Sequence, residues 1–494
     1  MRTTPVPTAP TDPAPPSPTA GRSTTTVVGA LVLCELASGL IQGFTGPIVP
    51  AIGDELGISA AGLTWVSIVQ GLSIAVFVPV FTRLGDVKGH RMMLRTAMVL
   101  LALGSLLVAL APNFPVLLVG RFLQGALGCL LPLEFAIARD RLDGKSAASA
   151  VARLVATLTI GNSVGSLLVG LLSTRIHDPQ QVLLLPSLLV VLAVPAAFFL
   201  IPESRTRAPR SVDWTGSLLV MTGLIGILLG LSQGSEWGWG SAPILTSILV
   251  GATFLVVFCL VELRSAEPLI DLRFVSGRGV APLYAGSLLV GVAMFGAYTA
   301  LTTFLATPAS FGYGFGQSTL ALGVTLLLTM FVPVSVANQV GGRLTRGGHG
   351  VAATVTGFVL AATGYLLLII WHDQLAHVVA GTVVTGLGFG LITTALPALI
   401  VDRSPAGQTA VTSGFYQLGR NMGGSVGGAI FAAVLAARTA EGSRYPSVGG
   451  YATVWTICAA LLVTGAVVSL RAVGRKPGTS TERAPHRAVY PPSA

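Results

Sequence analysis

The chain has 494 residues, of which 52% are hydrophobic and only 10% are charged. Soluble domains carry about 25% charged residues, so this composition excludes a large soluble enzyme and indicates a protein with many membrane spans. The net charge is +10, from 29 basic and 19 acidic residues. In a membrane protein such basic residues are first assigned to the loops beside the bilayer.

Apolar runs of about 20 residues, the length needed to cross a bilayer, follow one another along most of the chain. We predict an all-α integral membrane fold with fourteen spans, at 26–50, 60–82, 92–111, 114–138, 147–172, 182–201, 213–232, 242–262, 279–306, 318–339, 349–371, 376–400, 408–437 and 451–472. Residues 1–25 contain seven prolines and are predicted to be a disordered cytoplasmic tail.

The loops predict the orientation. One alternate set of loops, with both tails and Arg95, carries 23 basic residues, whereas the opposite set carries only Arg175, Arg438 and Arg444. The positive-inside rule therefore predicts that both termini are cytoplasmic. Arginine makes up 26 of the 29 basic residues, a bias that, with the abundant alanine and glycine, favours a bacterial source and hence the cytoplasmic membrane of a bacterium.

A weak internal repeat suggests two halves. Gly161 and Gly165 recur as Gly419 and Gly423 at a spacing of 258 residues, and Arg83 recurs as Arg343 at a spacing of 260. Such repeats are typical of transporters. We predict six-helix bundles at 26–201 and 276–472, two inserted linker helices at 202–275 and a basic cytoplasmic tail at 473–494. The four glycines are expected to pack helices closely, because they allow backbones to approach.

Two motifs carry a resemblance. The segment from Thr82 to Arg91, with Asp86, Gly89 and Arg91, resembles the signature loop of the major facilitator superfamily. Gly120 to Gly125, with Arg121 and Gln124, resembles the span-4 motif of that superfamily.

The end of span 1, Gly46 to Pro50, and the segment from Pro268 to Asp271 are similar to the fourteen-span drug:proton antiporters within it. The sequence departs from that group at Ile41, Ser166 and Val169, where Asp, Pro and Gly are usual.

The resemblance implies two six-helix bundles around a midplane cavity, with Asp86, Gly89 and Arg91 as a conformational lock and Arg121 in proton coupling. It implies export of a small organic molecule such as a drug, antibiotic or secondary metabolite, driven by the proton gradient without a cofactor. Proton-coupled import and lipid or metabolite movement stay open as alternatives. A membrane-embedded enzyme is a distant one, because no sizeable loop carries acidic residues.

Charged residues inside spans are functional candidates, because each costs several kcal/mol at mid-bilayer. Glu35, about 13 Å from the start of span 1, is the predicted proton site, tuned by Arg121. A purely structural role for either residue is the alternative. Glu134 and Arg153 are predicted to form an intramembrane ion pair or gate. Arg420, about 18 Å into span 13, is a candidate for substrate contact or for pairing with Glu35.

Polar and aromatic side chains within the spans are candidates for lining a substrate cavity with Arg420. They are Gln42, Gln70, Gln124, Asn162, Tyr298, Tyr416 and Gln417. With three arginines against two glutamates inside the spans, a neutral, zwitterionic or anionic substrate is favoured over a lipophilic cation. We find no ATP-binding loop and no metal-ligand spacing, so protons, one small-molecule substrate and the bilayer are the expected partners of a monomer, and nucleic acid is not expected.

Overall fold

The computed structural model describes residues 24–58, 60–142, 144–176, 178–203, 213–265, 272–277, 279–317, 319–404, 408–439 and 445–471. Most of these residues lie in fourteen long helices: α1 (Thr24–Glu55), α2 (Ala60–Lys88), α3 (His90–Ala109), α4 (Phe114–Arg141), α5 (Gly144–Leu172), α6 (Pro179–Phe199), α7 (Trp214–Trp237), α8 (Ala242–Arg264), α9 (Ala281–Ala306), α10 (319–346), α11 (Gly350–Ile370), α12 (Leu375–Arg403), α13 (Thr409–Ala437) and α14 (Val448–Leu470). One short helix, Leu272–Val275, precedes α9. The described residues contain no β-strand.

Three of the long helices change their winding near the middle. A 3₁₀ turn at Gly125–Cys129 interrupts α4, and π-helical turns at Val292–Gly296 and Leu327–Phe331 interrupt α9 and α10. Such turns in membrane helices are tolerated where neighbouring helices bury the irregular backbone.

Several helices continue beyond the predicted apolar runs. They end on basic residues, such as Lys88, Arg141, Arg346 and Arg403, which occupy the last turn. A cation is stabilised there by the partial negative charge of the helix terminus, and its long side chain reaches water from within the bilayer edge. A prediction from hydropathy alone therefore ends each span where these charged residues begin.

Thirteen of the described helices are long and apolar enough to cross a membrane. The exception among the predicted spans is α13, which has 29 residues but contains Gln417, Arg420 and Asn421, whose polar side chains lower its hydropathy. Thirteen spans are thus supported by length and hydropathy together, and the fourteenth stays a prediction.

The helices pack in a pattern that repeats after eight helices. In the first half α1 packs along α5 and α3 along α6, and in the second half α9 packs along α13 and α11 along α14. Across the middle, α2 contacts α13 and α10 contacts α5. This arrangement agrees with the repeat in the sequence, whereas the exact domain boundaries stay a prediction. The tails predicted at 1–25 and 473–494 lie outside the described residues, except that α1 already begins at Thr24.

The four glycines of the repeat lie at close helix contacts. A Cβ atom at Gly165 on α5 would come 2.5 Å from the Leu40 carbonyl oxygen of α1, and one at Gly161 would come 3.0 Å from that of Leu36. On α13, a Cβ atom at Gly423 would come 2.2 Å from the Leu288 carbonyl oxygen of α9, and one at Gly419 would come 2.9 Å from Ser287 Oγ. Most of these positions admit no side chain unless the backbones separate.

Helices α7 and α8 form a pair at the periphery. They pack mainly against each other, through close contacts between Gly223, Gly226 and Gly251. Helix α7 also contacts α2 and α13, while α8 is the least buried of the candidate spans. The pair therefore covers one side of the contact between the two halves.

Candidate functional site

A cavity of about 1120 Å³ lies between the two halves. Its wall combines apolar side chains, such as Leu131, Leu228 and Phe431, with a small set of polar ones. The polar and charged residues of the wall are Glu35, Gln42, Arg121, Gln417, Arg420, Asn421 and Ser425. Because most of the polar lining comes from α13, the low hydropathy of that helix has a structural cause: its polar face meets the cavity and not the lipid.

Glu35 is almost fully buried on α1, with 1% of its surface exposed, and its Oε2 atom has no hydrogen-bonding partner among the described residues. The positive charge that acts on this carboxyl group is that of Arg420 on α13. Each half of the chain therefore contributes one ionisable residue to the same cavity wall.

Glu134 on α4 is the acidic neighbour of Glu35, and the two carboxyl groups interact electrostatically. Glu134 is fully buried, and neither of its carboxyl oxygens has a hydrogen-bonding partner in the described part of the chain. Two like charges this close in a low-dielectric interior cannot both be stable, so at least one of these carboxyl groups must be neutral.

Arg420 lies between two aromatic rings. Its guanidinium carbon is 5.4 Å from the centroid of Phe295 and 5.8 Å from that of Tyr416. The side chain is 8% exposed, and its Nε has no hydrogen-bonding partner within the described residues. Cation–π contacts stabilise the charge without using its hydrogen-bond donors, so donors remain that a bound molecule can accept from.

Arg121 lines the same cavity but is held by its own helix and by α2. Its Nε donates to the Val66 carbonyl oxygen at 3.2 Å, and its Nη1 donates to Gln124 Oε1 at 2.9 Å. Gln124 in turn donates to Ser105 Oγ at 3.2 Å, which ties α4 to α3. The described contacts of Arg121 thus go to carbonyl and amide oxygens, and the arginine that acts on Glu35 is Arg420.

The structure does not bring Glu134 and Arg153 together as the predicted ion pair. Glu134 faces inwards beside Glu35, whereas Arg153 is exposed on α5 and lies with Arg343 and Arg346 of α10 in a separate cleft. Equal depth along neighbouring helices was a poor guide here, because the rotation of each helix about its axis decides which faces meet.

Of the residues predicted to line the cavity, Arg420, Gln42 and Gln417 do so. The others lie elsewhere among the described residues: Gln124 is bound to Arg121, Tyr416 is buried beneath Arg420, Tyr298 lines a small separate pocket, and Gln70 and Asn162 are not part of the cavity wall. Asn162 instead presents its backbone to Gly43, whose Cβ position would lie 2.0 Å from the Asn162 carbonyl oxygen. Hydropathy identifies polar residues in spans but not the direction in which they point.

At one end of the bundle, called here the closed end, α2 and α4 end, α13 begins and the two halves are in direct contact. Asp86 accepts a hydrogen bond from the Val411 backbone N–H at the start of α13, with a distance of 3.4 Å, and its other oxygen lies 2.8 Å from His90 Nε2. A carboxylate at a helix N-terminus is stabilised by the exposed N–H groups.

Gly89 and Arg91 complete this segment. Gly89 has a φ of 123°, which only glycine adopts readily, and a Cβ there would come 2.6 Å from Glu203 Oε1. Arg91 donates to the Phe198 carbonyl oxygen at 2.8 Å, so this arginine joins α3 to the end of α6 and does not reach the second half in the described contacts.

Arg139 forms contacts between the two halves that the sequence analysis did not predict. At the end of α4 it donates to the Ser404 carbonyl oxygen at 2.9 Å and to Thr409 Oγ1 at 3.1 Å, both in the second half. The signal that could have identified this region is the Asp140-Arg141 pair, which recurs as Asp402-Arg403.

Membrane-crossing helices around a buried, charged cavity between two similar halves define a transporter and not an enzyme. The model of the Major Facilitator Superfamily matches residues 31–428, and the chain therefore belongs to that superfamily. This confirms the resemblance drawn from the Asp86 and Arg121 motifs and the predicted fold class.

Individual relatives support the same conclusion. The chain is 28% identical over 419 residues to a probable actinorhodin transporter of Streptomyces coelicolor, which covers 80% of this chain and 70% of that protein. It is 28% identical to a cephamycin export protein of Amycolatopsis lactamdurans, over 81% of this chain and 84% of that one. It is 27% identical to a triacylglyceride transporter of Mycobacterium tuberculosis, over 84% of this chain and 87% of that one.

Among solved structures, the crystal structure of a human organic anion transporter superposes with a TM-score of 0.65. It covers 91% of this chain and 100% of that chain at 16% identity, a likeness that concerns the fold alone.

Proposed function

We propose that the protein exports a small organic molecule across the cytoplasmic membrane of a bacterium in exchange for protons. The observation that carries this proposal is that Glu35 and Arg420, which come from the two halves, line the wall of the same central cavity, where the charge of Arg420 acts on the Glu35 carboxyl group. A carboxyl group that can gain a proton and an arginine with spare donors supply, in one place, a proton site and a substrate site. The names of the actinorhodin and cephamycin relatives favour export over import.

The basic loops support an orientation in which the closed end and both termini face the cytoplasm. The cavity wall runs from Glu35 towards the opposite end, where it includes Trp239 and Leu435. With this orientation the structure is a state that faces outwards. The halves 26–201 and 276–472 then rock about the cavity, and the Asp86 and Arg139 contacts open when it faces inwards.

Exchange requires that proton and substrate exclude each other. In our proposal, ionised Glu35 accepts a hydrogen bond from a donor group of the substrate, while Arg420 donates to an oxygen of the same molecule. A proton that enters from outside neutralises Glu35 and replaces the charge-assisted hydrogen bond with a weaker neutral one, so the substrate leaves. The reoriented protein then releases the proton to the cytoplasm, and Glu35 can accept a new substrate.

This geometry selects a substrate with both a donor and an acceptor. Glu35 and Arg420 together favour a neutral or zwitterionic molecule, and the apolar wall formed by residues such as Leu131, Leu228 and Phe431 favours one with a hydrophobic body. An antibiotic or other secondary metabolite meets this description.

The test is proton flux in proteoliposomes under an imposed pH gradient, with a panel of antibiotics and dyes. We expect compound-dependent proton movement in the unaltered protein and in Glu55→Gln, a matched change at the exposed end of α1. Loss of that movement in Glu35→Gln alone would support the proposal. Undiminished movement in Glu35→Gln would contradict it and transfer the proton site to Glu134.

A second candidate is the movement of a neutral lipid, which is favoured by the match to the triacylglyceride transporter over 84% of this chain. Proteoliposomes that contain a fluorescent triacylglyceride distinguish the two proposals. Lipid transfer that is insensitive to Arg420→Gln would favour the lipid candidate, because a triacylglyceride offers no charge for that residue.

A further inference from the structure

A second cleft lies at the closed end, between α5 and α10. It has two adjoining compartments of about 520 Å³ and about 430 Å³, which share Ser149 and three arginines. We call it the arginine cleft, after Arg153, Arg343 and Arg346. No aspartate or glutamate is among the described residues that line either compartment.

The three arginines belong to both halves of the molecule. Arg153 comes from α5, and Arg343 and Arg346 come from the last turns of α10. The two helices touch just below them, since a Cβ at Gly342 would come 2.6 Å from Ala152 Cβ. Arg346 Nε donates to the Gly342 carbonyl oxygen at 3.1 Å, while Arg153 and Arg343 form no ion pair with any described residue.

The internal repeat accounts for the absence of an acidic partner for these charges among the described residues. With the spacing of 260 residues, Arg83 corresponds to Arg343, and Asp86 corresponds to Arg346. With the spacing of 258 residues, Val411 corresponds to Arg153. The contact between Asp86 and Val411 joins α2 to α13, and the equivalent place between α10 and α5 holds two arginines and no carboxylate.

An anion bound between these arginines would therefore take the place of the carboxylate that the other half provides. Arginine presents several donors in a fixed fork that matches the oxygens of a phosphate, and three such side chains around one cleft form a strong phosphate site. Ser149 adds a hydroxyl group to the wall of both compartments.

The deeper compartment adds an apolar floor. It includes Val32 of α1 with Ala152 and Ala156 of α5, beyond the arginines. The neighbouring surface of α10 exposes large apolar side chains, Val336, Val340 and Leu344, as a lipid-facing helix does. The cleft thus combines a cationic mouth with an apolar interior beside the bilayer.

We propose that the arginine cleft binds a phosphate group, with the head group of an anionic phospholipid as its source. A phosphate between Arg153 and the two arginines of α10 bridges the halves and stabilises the closed end. The site is separate from the central cavity, so this proposal does not depend on which substrate is exported or on whether protons drive the export. Basic pockets between membrane helices are a known means of binding such head groups.

The test uses the full-length protein in detergent, titrated with phosphatidylglycerol, with zwitterionic phosphatidylcholine, and with soluble glycerol phosphate. Bound lipid is counted by native mass spectrometry, and thermal unfolding is followed in parallel. The variants are Arg343→Gln, Arg346→Gln and the double variant that carries both changes. Arg264→Gln is the matched control. Arg264 is an exposed arginine at the end of α8 and lines neither compartment.

We expect phosphatidylglycerol to bind at least about tenfold more tightly than phosphatidylcholine, which corresponds to one charged hydrogen bond of modest strength. The double variant should lose this preference, while Arg264→Gln should keep it. Binding of glycerol phosphate as tight as that of the lipid would retain the phosphate site but assign it a soluble ligand. Equal binding of the two lipids, or an equal loss in Arg264→Gln, would overturn the proposal.

Discussion

Glu35 on α1 and Arg420 on α13 line the wall of one cavity, although they lie 385 positions apart in the chain. Their opposite charges act on each other across the boundary between the two halves. A change in the charge of either residue therefore alters both the cavity and the attraction between the halves. The first two predictions follow from this pair.

Replacement of Glu35 by glutamine should abolish uphill transport while downhill exchange of substrate continues. The amide keeps the size of the side chain but cannot take up a proton, so substrate movement no longer depends on the pH gradient. We expect at least about a hundredfold loss of gradient-driven flux, the lower end of what a positioned proton-transfer group contributes. Flux in proteoliposomes with and without a gradient measures this, and an equal loss in both conditions would indicate a merely structural defect.

Replacement of Arg420 by glutamine should weaken substrate binding more than it affects folding. The loss of a charged hydrogen bond to a bound molecule costs about 1.5–3 kcal/mol, or roughly 10- to 150-fold in affinity. Lysine at this position should give an intermediate effect, since it keeps the charge but not the planar contact with Phe295 and Tyr416. Arg438 is exposed and directly follows the last residue of α13, so Arg438→Gln is the control.

Replacement of Asp86 by asparagine should loosen the closed end. The neutral amide loses the attraction to the N-terminus of α13, which is worth about 0.3–1 kcal/mol, up to about 2 in partly buried positions. Spin labels on the exposed residues Met92 and Leu344 report the separation of the halves at this end. We expect a longer-distance population to increase in Asp86→Asn, whereas Asp178→Asn, a change of the same kind at the cap of α6 on the opposite end, should leave the distances unchanged.

Replacement of Gly423 by valine should separate α9 from α13. The Cβ atom alone would come 2.2 Å from the Leu288 carbonyl oxygen, a distance that no relaxation of side chains relieves. Overpacking of this kind costs about 1–3 kcal/mol or more. Gly428 on the same helix has no atom within 4 Å of its Cβ position, so Gly428→Val is the matched control in a thermal unfolding measurement. Equal destabilisation by both variants would contradict the packing described here.

The fold was largely predictable because hydropathy reports directly on membrane burial. Each predicted apolar run corresponds to a helix, and the motifs around Asp86 and Arg121 correctly indicated the superfamily. The one predicted span that hydropathy does not support, α13, is the helix with the most polar face towards the cavity. Hydropathy does not report burial in the membrane where polar residues face a cavity and not the lipid.

The site was only partly predictable. The sequence identifies which polar residues lie in spans, and thereby selected Glu35, Gln42, Gln417 and Arg420. It does not give the rotation of each helix about its axis. The sequence therefore could not predict that Glu134 faces Glu35 and not Arg153. The contacts of Arg139 with Ser404 and Thr409 depend on the approach of two distant loops, which no local pattern encodes.

The peripheral pair α7 and α8 makes the two lipid-facing sides of the molecule different. On one side α7 covers the meeting of α2 and α13, and its residues Leu224, Leu228 and Leu231 form part of the cavity wall. On the other side, where α5 meets α10, neither helix of the pair makes comparable contact within the described residues. A hydrophobic molecule dissolved in the membrane therefore meets α7 and α8 on the α2–α13 side of the cavity, whereas on the α5–α10 side neither helix of the pair covers the contact between the two halves within the described residues.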